Sequence, residues 1–217
     1  MITVRLRFEK KDYAIFYSNL DLQRVFQRAM KKSGLPVWYS KGFNPRIYLT
    51  FTFPLSLGHA SLCESCDFKL NEFVEENTII ERLQPCLPEG IILKSAKEPT
   101  FAATDICYAK YKITLFDDTG HCKRIFEDYF KKDSIPVVKK SKKGDAEIDI
   151  KPLITDIDIL EASDDFVVFT AVFPAGGTYN INPNLLLEYF EKEYGTDRHE
   201  AFVTRLEILD KNKEILE

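Results

Sequence analysis

The 217-residue chain is 45% hydrophobic, enough apolar material for one large core or two modest ones, which excludes a disordered chain. It has no run of about 18 apolar residues, and its start, MITVRLRFEKK, is charged and alternating; neither a membrane span nor a signal peptide fits, so a cytoplasmic protein without a membrane partner is expected. The net charge of −4 is unevenly spread: residues 1–50 carry ten Lys/Arg against three acids, a surplus of +7, and the remainder carries −11.

Ile2, Val4, Leu6 and Phe8 alternate with Thr3, Arg5, Arg7 and Glu9, which predicts a half-buried strand with its charged side chains outward. A short extended segment, AIFYS, follows. Ser18 with Asp21 three residues later supplies acceptors for the unpaired amides of a first helical turn. The helix so begun runs to about Lys32, buries Leu22, Val25, Phe26 and Ala29, and lines Arg24, Arg28 and Lys31 along an exposed face at i, i+4 and i+7. Gly34 stops it. Residues 39–58, YSKGFNPRIYLTFTFPLSLG, read as a strand on each side of a Gly42-Phe43-Asn44-Pro45 turn, in which Gly42 permits an unusual backbone angle and Pro45 fixes the next. A strand over about 61–70, a helix near 73–85 and a strand IILKSAKE complete the order β-α-β-β-α-β of a ferredoxin-like domain.

The same grammar restarts near residue 105: a strand CYAKYKITLF, a helix from Thr119 to Lys131 and a strand IPVVKK. A basic hairpin near 137–151 is inserted, turning through Lys142-Lys143-Gly144-Asp145. Strands at 157–163 and 165–173, a helix opened by Asn182-Pro183 and a final strand AFVTRLEILD follow. The fold expected is α+β: two tandem ferredoxin-like (βαββαβ) units, at 1–100 and 105–217, joined near 98–104, the second carrying the inserted hairpin.

Chemistry is thinly written. Five scattered cysteines, Cys63, Cys66, Cys86, Cys107 and Cys122, suit a reducing compartment better than a disulfide framework. Cys63-Glu-Ser-Cys66 falls in a predicted strand, where i and i+3 point to opposite faces, and no second Cys/His pair follows at metal-ligand spacing. His59, His121 and His199 are far apart with no nucleophile pattern around them, and His59 reads as an exposed loop residue. Phosphate-binding glycine motifs are missing. Gly176-Gly177-Thr178-Tyr179-Asn180 is a turn whose amides lie near a helix start, either an anion contact or a flexible connection. Neither cofactor nor metal is expected, and no catalytic set is legible.

What remains is a basic and aromatic set: Arg24, Arg28, Lys31, Tyr39, Ser40, Lys41, Phe43, Asn44 and Arg46, with Trp38 and Tyr48 beside them. It combines donors for phosphates with rings on which unstacked bases can rest, which points to RNA. An alternating strand buries either Trp38 or Tyr39 and exposes the other, so not every ring can face a ligand.

Ser18-Asn19-Leu20-Asp21, Arg24, Arg28-Ala29, Gly34-Leu35-Pro36, Tyr39-Ser40-Lys41-Gly42-Phe43-Asn44-Pro45, Pro54-Leu55-Ser56-Leu57-Gly58, and Ser61 followed by Glu64 and Asp67 resemble the radical SAM-linked protein family, a bacterial domain of unknown function. The likeness is strong over about residues 1–100 and diffuse beyond. Members of that family stand alone or are fused behind a cobalamin-binding radical SAM enzyme, which implies a radical SAM partner and assigns no reaction. Cys63, Cys66 and His59 lie outside its motif positions. A looser likeness of architecture links the tandem units to CRISPR repeat-processing endoribonucleases, although their long glycine loop is reduced here to Gly176-Gly177. The expected function is a non-catalytic, RNA-binding accessory module for a separate radical SAM enzyme. The alternatives are a protein-interaction domain docking that enzyme without RNA, through the same basic face, and a nuclease-like enzyme.

Overall fold

The computed structural model describes residues 1–117, 120, 122–139, 144–176, 180–197 and 200–217. His121, His199, Lys142, Lys143 and Gly177-Thr178-Tyr179 therefore lie outside the described residues. The fold is α+β, with four α-helices among the described residues. Its chain divides into two units, Met1–Asp105 together with Glu217, and Ile106–Leu216. No helix among the described residues is long and apolar enough to cross a membrane.

In the first unit the order is β1 (Ile2–Lys10), α1 (Asn19–Lys32), β2 (Leu49–Phe51), β3 (Ala60–Leu70), α2 (Glu76–Leu83) and β4 (Ile91–Lys97). β1 pairs antiparallel with both β3 and β4, and β2 pairs antiparallel with β3. Val4, Leu6 and Phe8 of β1 share one cluster with Cys66, Phe68 and Leu70 of β3, with Leu22, Phe26, Ala29 and Met30 of α1 and with Ile79 and Leu83 of α2. Both helices thus cover the same sheet face. Phe8, Phe26 and Phe51 interlock at its centre, with centroids 4.9 to 6.3 Å apart, in the tilted and edge-on geometries that aromatic quadrupoles favour.

Helix α1 starts where its local chemistry dictates. The Asp21 amide donates to Ser18 Oγ at 3.2 Å, and the Ser18 amide donates back to Asp21 Oδ2 at 3.3 Å, a complete capping box.

Several expectations change. The segment AIFYS is not extended: Asp12–Phe16 is a 3-10 turn, closed by Ala14 N to Lys11 O and Tyr17 N to Ala14 O, both 3.0 Å. Ala14 is buried beneath it, while Tyr13 and Phe16 face solvent. Val25 is only half-buried, whereas Met30, four residues on from Phe26, is fully buried. Arg5 is not an outward charge but a buried one, and Lys10 at the end of the strand is buried as well. Arg5 is held by Asp67 opposite it on β3, and Lys10 Nζ donates to the Tyr17 carbonyl at 3.1 Å. The strand expected before Gly42 is reduced to isolated bridges, Val37 with Leu70 and Tyr39 with Ile47; β2 itself is three residues long.

The second unit runs β5 (Tyr108–Phe116), α3 (Cys122–Lys131), β6 (Pro136–Lys139), β7 (Ala146–Asp149), β8 (Thr155–Ala162), β9 (Phe166–Pro174), α4 (Asn184–Tyr194) and β10 (Phe202–Leu209). β5 lies between β10 and β9, β9 between β5 and β8, and every pair is antiparallel. β6 and β7 form a separate two-stranded hairpin. Phe126 of α3 packs on Phe169 of β9 at 4.6 Å and on Phe190 of α4 at 5.7 Å.

Candidate functional site

Arg24, Arg28 and Lys31 are all exposed on α1. Only Arg24 has an ionic neighbour, Asp21 at 3.6 Å one turn earlier, an exposed pair of little energetic weight. Among the described residues the side chains of Arg28 and Lys31 make no hydrogen bond or ion pair. With Leu20 and Lys32 also exposed, this flank of the helix is positively charged.

The second group sits on a loop with a defined shape. The Tyr39–Ile47 bridge closes it. Inside that bridge the Ser40 amide donates to the Arg46 carbonyl at 2.8 Å, and the Arg46 amide donates to Ser40 Oγ at 3.0 Å. Gly42, at φ +132°, takes a backbone angle that a side chain would oppose. Residues 41–46 are exposed throughout. Among the described residues the side chains of Lys41, Phe43, Asn44 and Arg46 make no hydrogen bond, ion pair or ring contact, so nothing inside the protein explains them. Ser40, by contrast, is engaged with the loop's own backbone through Arg46.

At the foot of the loop the question of Trp38 against Tyr39 resolves as a matter of degree. Trp38 is half-buried and Tyr39 is 38% exposed. Trp38 N donates to the Lys69 carbonyl at 2.8 Å, and Lys69 Nζ lies 4.5 Å from the Tyr48 ring centroid and 5.8 Å from that of Trp38. Lys69 is thus a cation held between two rings. The sequence reading missed it, because only the long-range pairing of residue 38 with residue 69 brings it there; its outward position between Phe68 and Leu70 was the one available sign. Among the described residues no hydrogen bond or ion pair joins the α1 face to the 40–46 loop.

The remaining candidates resolve into structure. Cys63 and Cys66 lie in β3 as expected, and both are buried. Burial, more than the neighbouring Asp67 and Glu64 charges, pushes the Cys66 thiol well above its ordinary pKa, the opposite of a reactive or ligating thiolate. Among the described residues no three His, Cys, Asp or Glu side chains are grouped to hold a metal ion. His59 is not an exposed loop residue: it is buried immediately before β3. Ser61, Glu64 and Ser65 of β3 are buried as well, and Ser61 faces the buried Lys10 across the β1–β3 ladder. Gly176, at φ +100°, packs where a Cβ would meet the Ile106 carbonyl oxygen at 2.1 Å, so this position itself requires glycine. In the second unit an open pocket of about 320 Å³ is lined by Arg124, Ile125, Asp128, Glu193 and Tyr194. Its charges are already matched, Arg124 with Asp128 at 3.8 Å and Lys132 with Glu193 at 3.1 Å.

Fold and surface together define an α+β protein that presents a basic, aromatic loop of fixed shape. The chain belongs to DUF2344, a family described as an uncharacterized protein conserved in bacteria, whose model matches residues 3–183. No curated protein matches it.

Proposed function

We propose that this chain is a non-catalytic RNA-binding accessory module working with a separate radical SAM enzyme. The observation that carries RNA binding is a set of exposed side chains without internal partners: the cations Arg28 and Lys31 on α1, and Lys41, Arg46, Asn44 and the Phe43 ring on the loop. Groups that do nothing for the fold, carry positive charge and stand beside flat rings suit a phosphate backbone with unstacked bases. The radical SAM partner rests on the motif resemblance of the first hundred residues. We also read both units as ferredoxin-like. The antiparallel neighbours β4-β1-β3-β2 and β10-β5-β9-β8 support that reading, with β6–β7 as the insertion.

The test is retention of the purified chain on total cellular RNA across a salt series. Affinity should fall as salt rises, with a slope of about 0.7 per phosphate contacted on single strands. Arg24→Ala with Arg28→Ala should reduce the slope by about 1.4, two contacts' worth. Absent or salt-independent binding would sink the reading.

A second reading, docking of the radical SAM enzyme without RNA, is favoured by one specific feature. Tyr13, Phe16 and Leu57 are exposed apolar side chains, and the Gly58 amide ties the Leu57 turn to the Ile15 carbonyl at 3.0 Å. A complex that survives nuclease treatment and is lost in Phe16→Ala Leu57→Ala would favour it. The nuclease-like alternative would draw on Tyr39, Ser40 and Lys41 of the loop rather than on the buried His59, and loss of a measured RNA-cleavage rate in variants of those three residues would favour it.

A further inference from the structure

We infer that the 40–46 loop recognises unpaired RNA by inserting the Phe43 ring between two neighbouring bases, with Lys41 and Arg46 beside it, and Lys69 at the loop's foot, taking the phosphates. This rests on the RNA-binding reading above and names the kind of RNA and the way it is held.

Phe43 stands midway between Tyr39 and Ile47, the two residues whose bridge closes the loop. Its exposure is complete, 106% of the reference value, so neither ring face is covered. A ring lying against the protein has one free face and can cap a single base. A ring with both faces free can be sandwiched by two, and each stacked base adds to the affinity. Stacking on both sides compensates for opening the step between the bases.

The loop is built to present the ring without first being ordered. Two hydrogen bonds between Ser40 and Arg46, at 2.8 and 3.0 Å, and the Gly42 and Pro45 backbone preset its shape, so little conformational entropy is lost on binding. Its base is also charged: Lys69 Nζ is 4.5 Å from the Tyr48 centroid, and Tyr48 is itself 39% exposed. A pocket on a protein partner could accept an apolar ring equally well. The cations on both sides of Phe43, unmatched by any carboxylate among the described residues, favour a polyanion.

Insertion selects for single strands. A duplex must be unstacked at the step before a wedge enters, and the deep, narrow major groove of A-form RNA is closed to side-chain readout. A looped or unpaired segment has already met most of that cost.

The experiment is titration of a short single-stranded RNA carrying one 2-aminopurine, and of the corresponding blunt duplex, with wild type, Phe43→Ala and Phe43→Trp. Phe43 touches nothing in the protein, so Phe43→Ala leaves the fold intact; a thermal melt checks this. Wild type should raise 2-aminopurine fluorescence on binding, as a base is unstacked, and prefer the single strand. Phe43→Ala should bind about tenfold more weakly, with no fluorescence rise and an unchanged salt slope, because no phosphate contact is lost. Phe43→Trp, whose ring also stacks, should restore the affinity. Wild-type affinity and fluorescence in Phe43→Ala, with salt-dependent binding intact, would overturn insertion and leave the RNA reading standing. Absence of RNA binding by wild type overturns both. Loss of a co-purifying protein from Phe43→Ala, without any effect on RNA, overturns insertion in favour of a protein pocket.

Discussion

Arg5 and Asp67 occupy paired positions on β1 and β3 and are joined by two parallel hydrogen bonds, Nε to Oδ1 at 2.7 Å and Nη2 to Oδ2 at 2.8 Å. The remaining guanidinium nitrogen, Nη1, donates to the Phe101 carbonyl at 2.8 Å, and the Phe101 ring lies 4.2 Å away. The side chain is 6% exposed against 20% for Asp67. Removing one partner leaves a buried charge uncompensated, a loss of about 3–5 kcal/mol. Asp67→Ala should therefore lower stability by about 3 kcal/mol in urea unfolding followed by Trp38, the single tryptophan. Replacing both partners with apolar residues should cost markedly less than either single change. A loss under about 1 kcal/mol for Asp67→Ala would show the pair to be solvent-screened.

Acid should act on β1 through Glu9. Its carboxylate accepts from Lys94 Nζ at 2.5 Å and lies 3.3 Å from Lys11 Nζ. The Lys94 hydrogen bond above all, opposed by partial burial and aided by Lys11, holds its pKa below the ordinary value of 4.5. A carboxylate depressed in the folded state binds its proton more readily when unfolded, so its stabilisation is fully present above about pH 4.5 and is lost as pH falls through the lowered folded value. Any stability gap between wild type and Glu9→Gln at neutral pH should close on acidification. A gap constant with pH would sink the assignment.

These two residues also mark how much was readable in advance. The Ser18–Asp21 cap and the Arg24/Arg28/Lys31 face depend on contacts within a few turns of one helix, and the sequence displays them directly. Arg5 looked like an outward charge because its partner lies 62 residues away, and alternation alone cannot say that the outer face of β1 is also covered. Lys69 escaped notice for the same reason: its place between Trp38 and Tyr48 is made by sheet pairing. Gly58 marks a turn beside His59, whereas the start of β3 one residue later carries His59 inward. Half of the candidate surface, the loop from Ser40 to Arg46, was legible as turn chemistry; its lack of internal partners was not.

Thiol reactivity should sort the cysteines by burial. Cys63, Cys66 and Cys122 are buried, while Cys86 and Cys107 are half-buried. Burial, then the nearby Asp117 and Asp165 charges, push the Cys122 thiol up to about 11, so almost no thiolate forms near neutrality. Iodoacetamide at about pH 8 should modify Cys86 and Cys107 first by peptide mass mapping, with the other three protected until denaturant is added. Labelling of Cys66 in the native protein at the rate of the unfolded chain would contradict its position in β3.

Gly90 is where the 3-10 turn meets the entry to β4. Its carbonyl accepts from the Lys11 amide at 2.9 Å, its φ is +84°, and a Cβ there would lie 2.3 Å from the Lys11 carbonyl oxygen. An alanine must therefore meet both a disfavoured backbone angle, about 1–2 kcal/mol, and a clash with backbone that cannot rotate away. Gly90→Ala should cost about 3 kcal/mol or more in urea unfolding. Gly34→Ala, also at positive φ but with nothing within 4 Å of its Cβ, should cost only the backbone term. Equal losses at the two sites would show that the Lys11 contact gives way.

Ser40 links structure to the proposed binding most directly. Its Oγ accepts the Arg46 amide at 3.0 Å at an exposed site, so Ser40→Ala lets water take that amide and should change stability by no more than about 0.5 kcal/mol. The loop then loses one of the two bonds that preset its shape, and binding must supply the ordering instead. RNA affinity should fall about threefold, or roughly 0.6 kcal/mol, with the salt slope unchanged because every cation is still present. Ser40→Thr, which keeps the hydroxyl, should restore the affinity. That rescue separates positioning from contact: a Ser40 that itself touched a phosphate would alter the slope or resist replacement by the bulkier threonine, and either result would remove it from the positioning role.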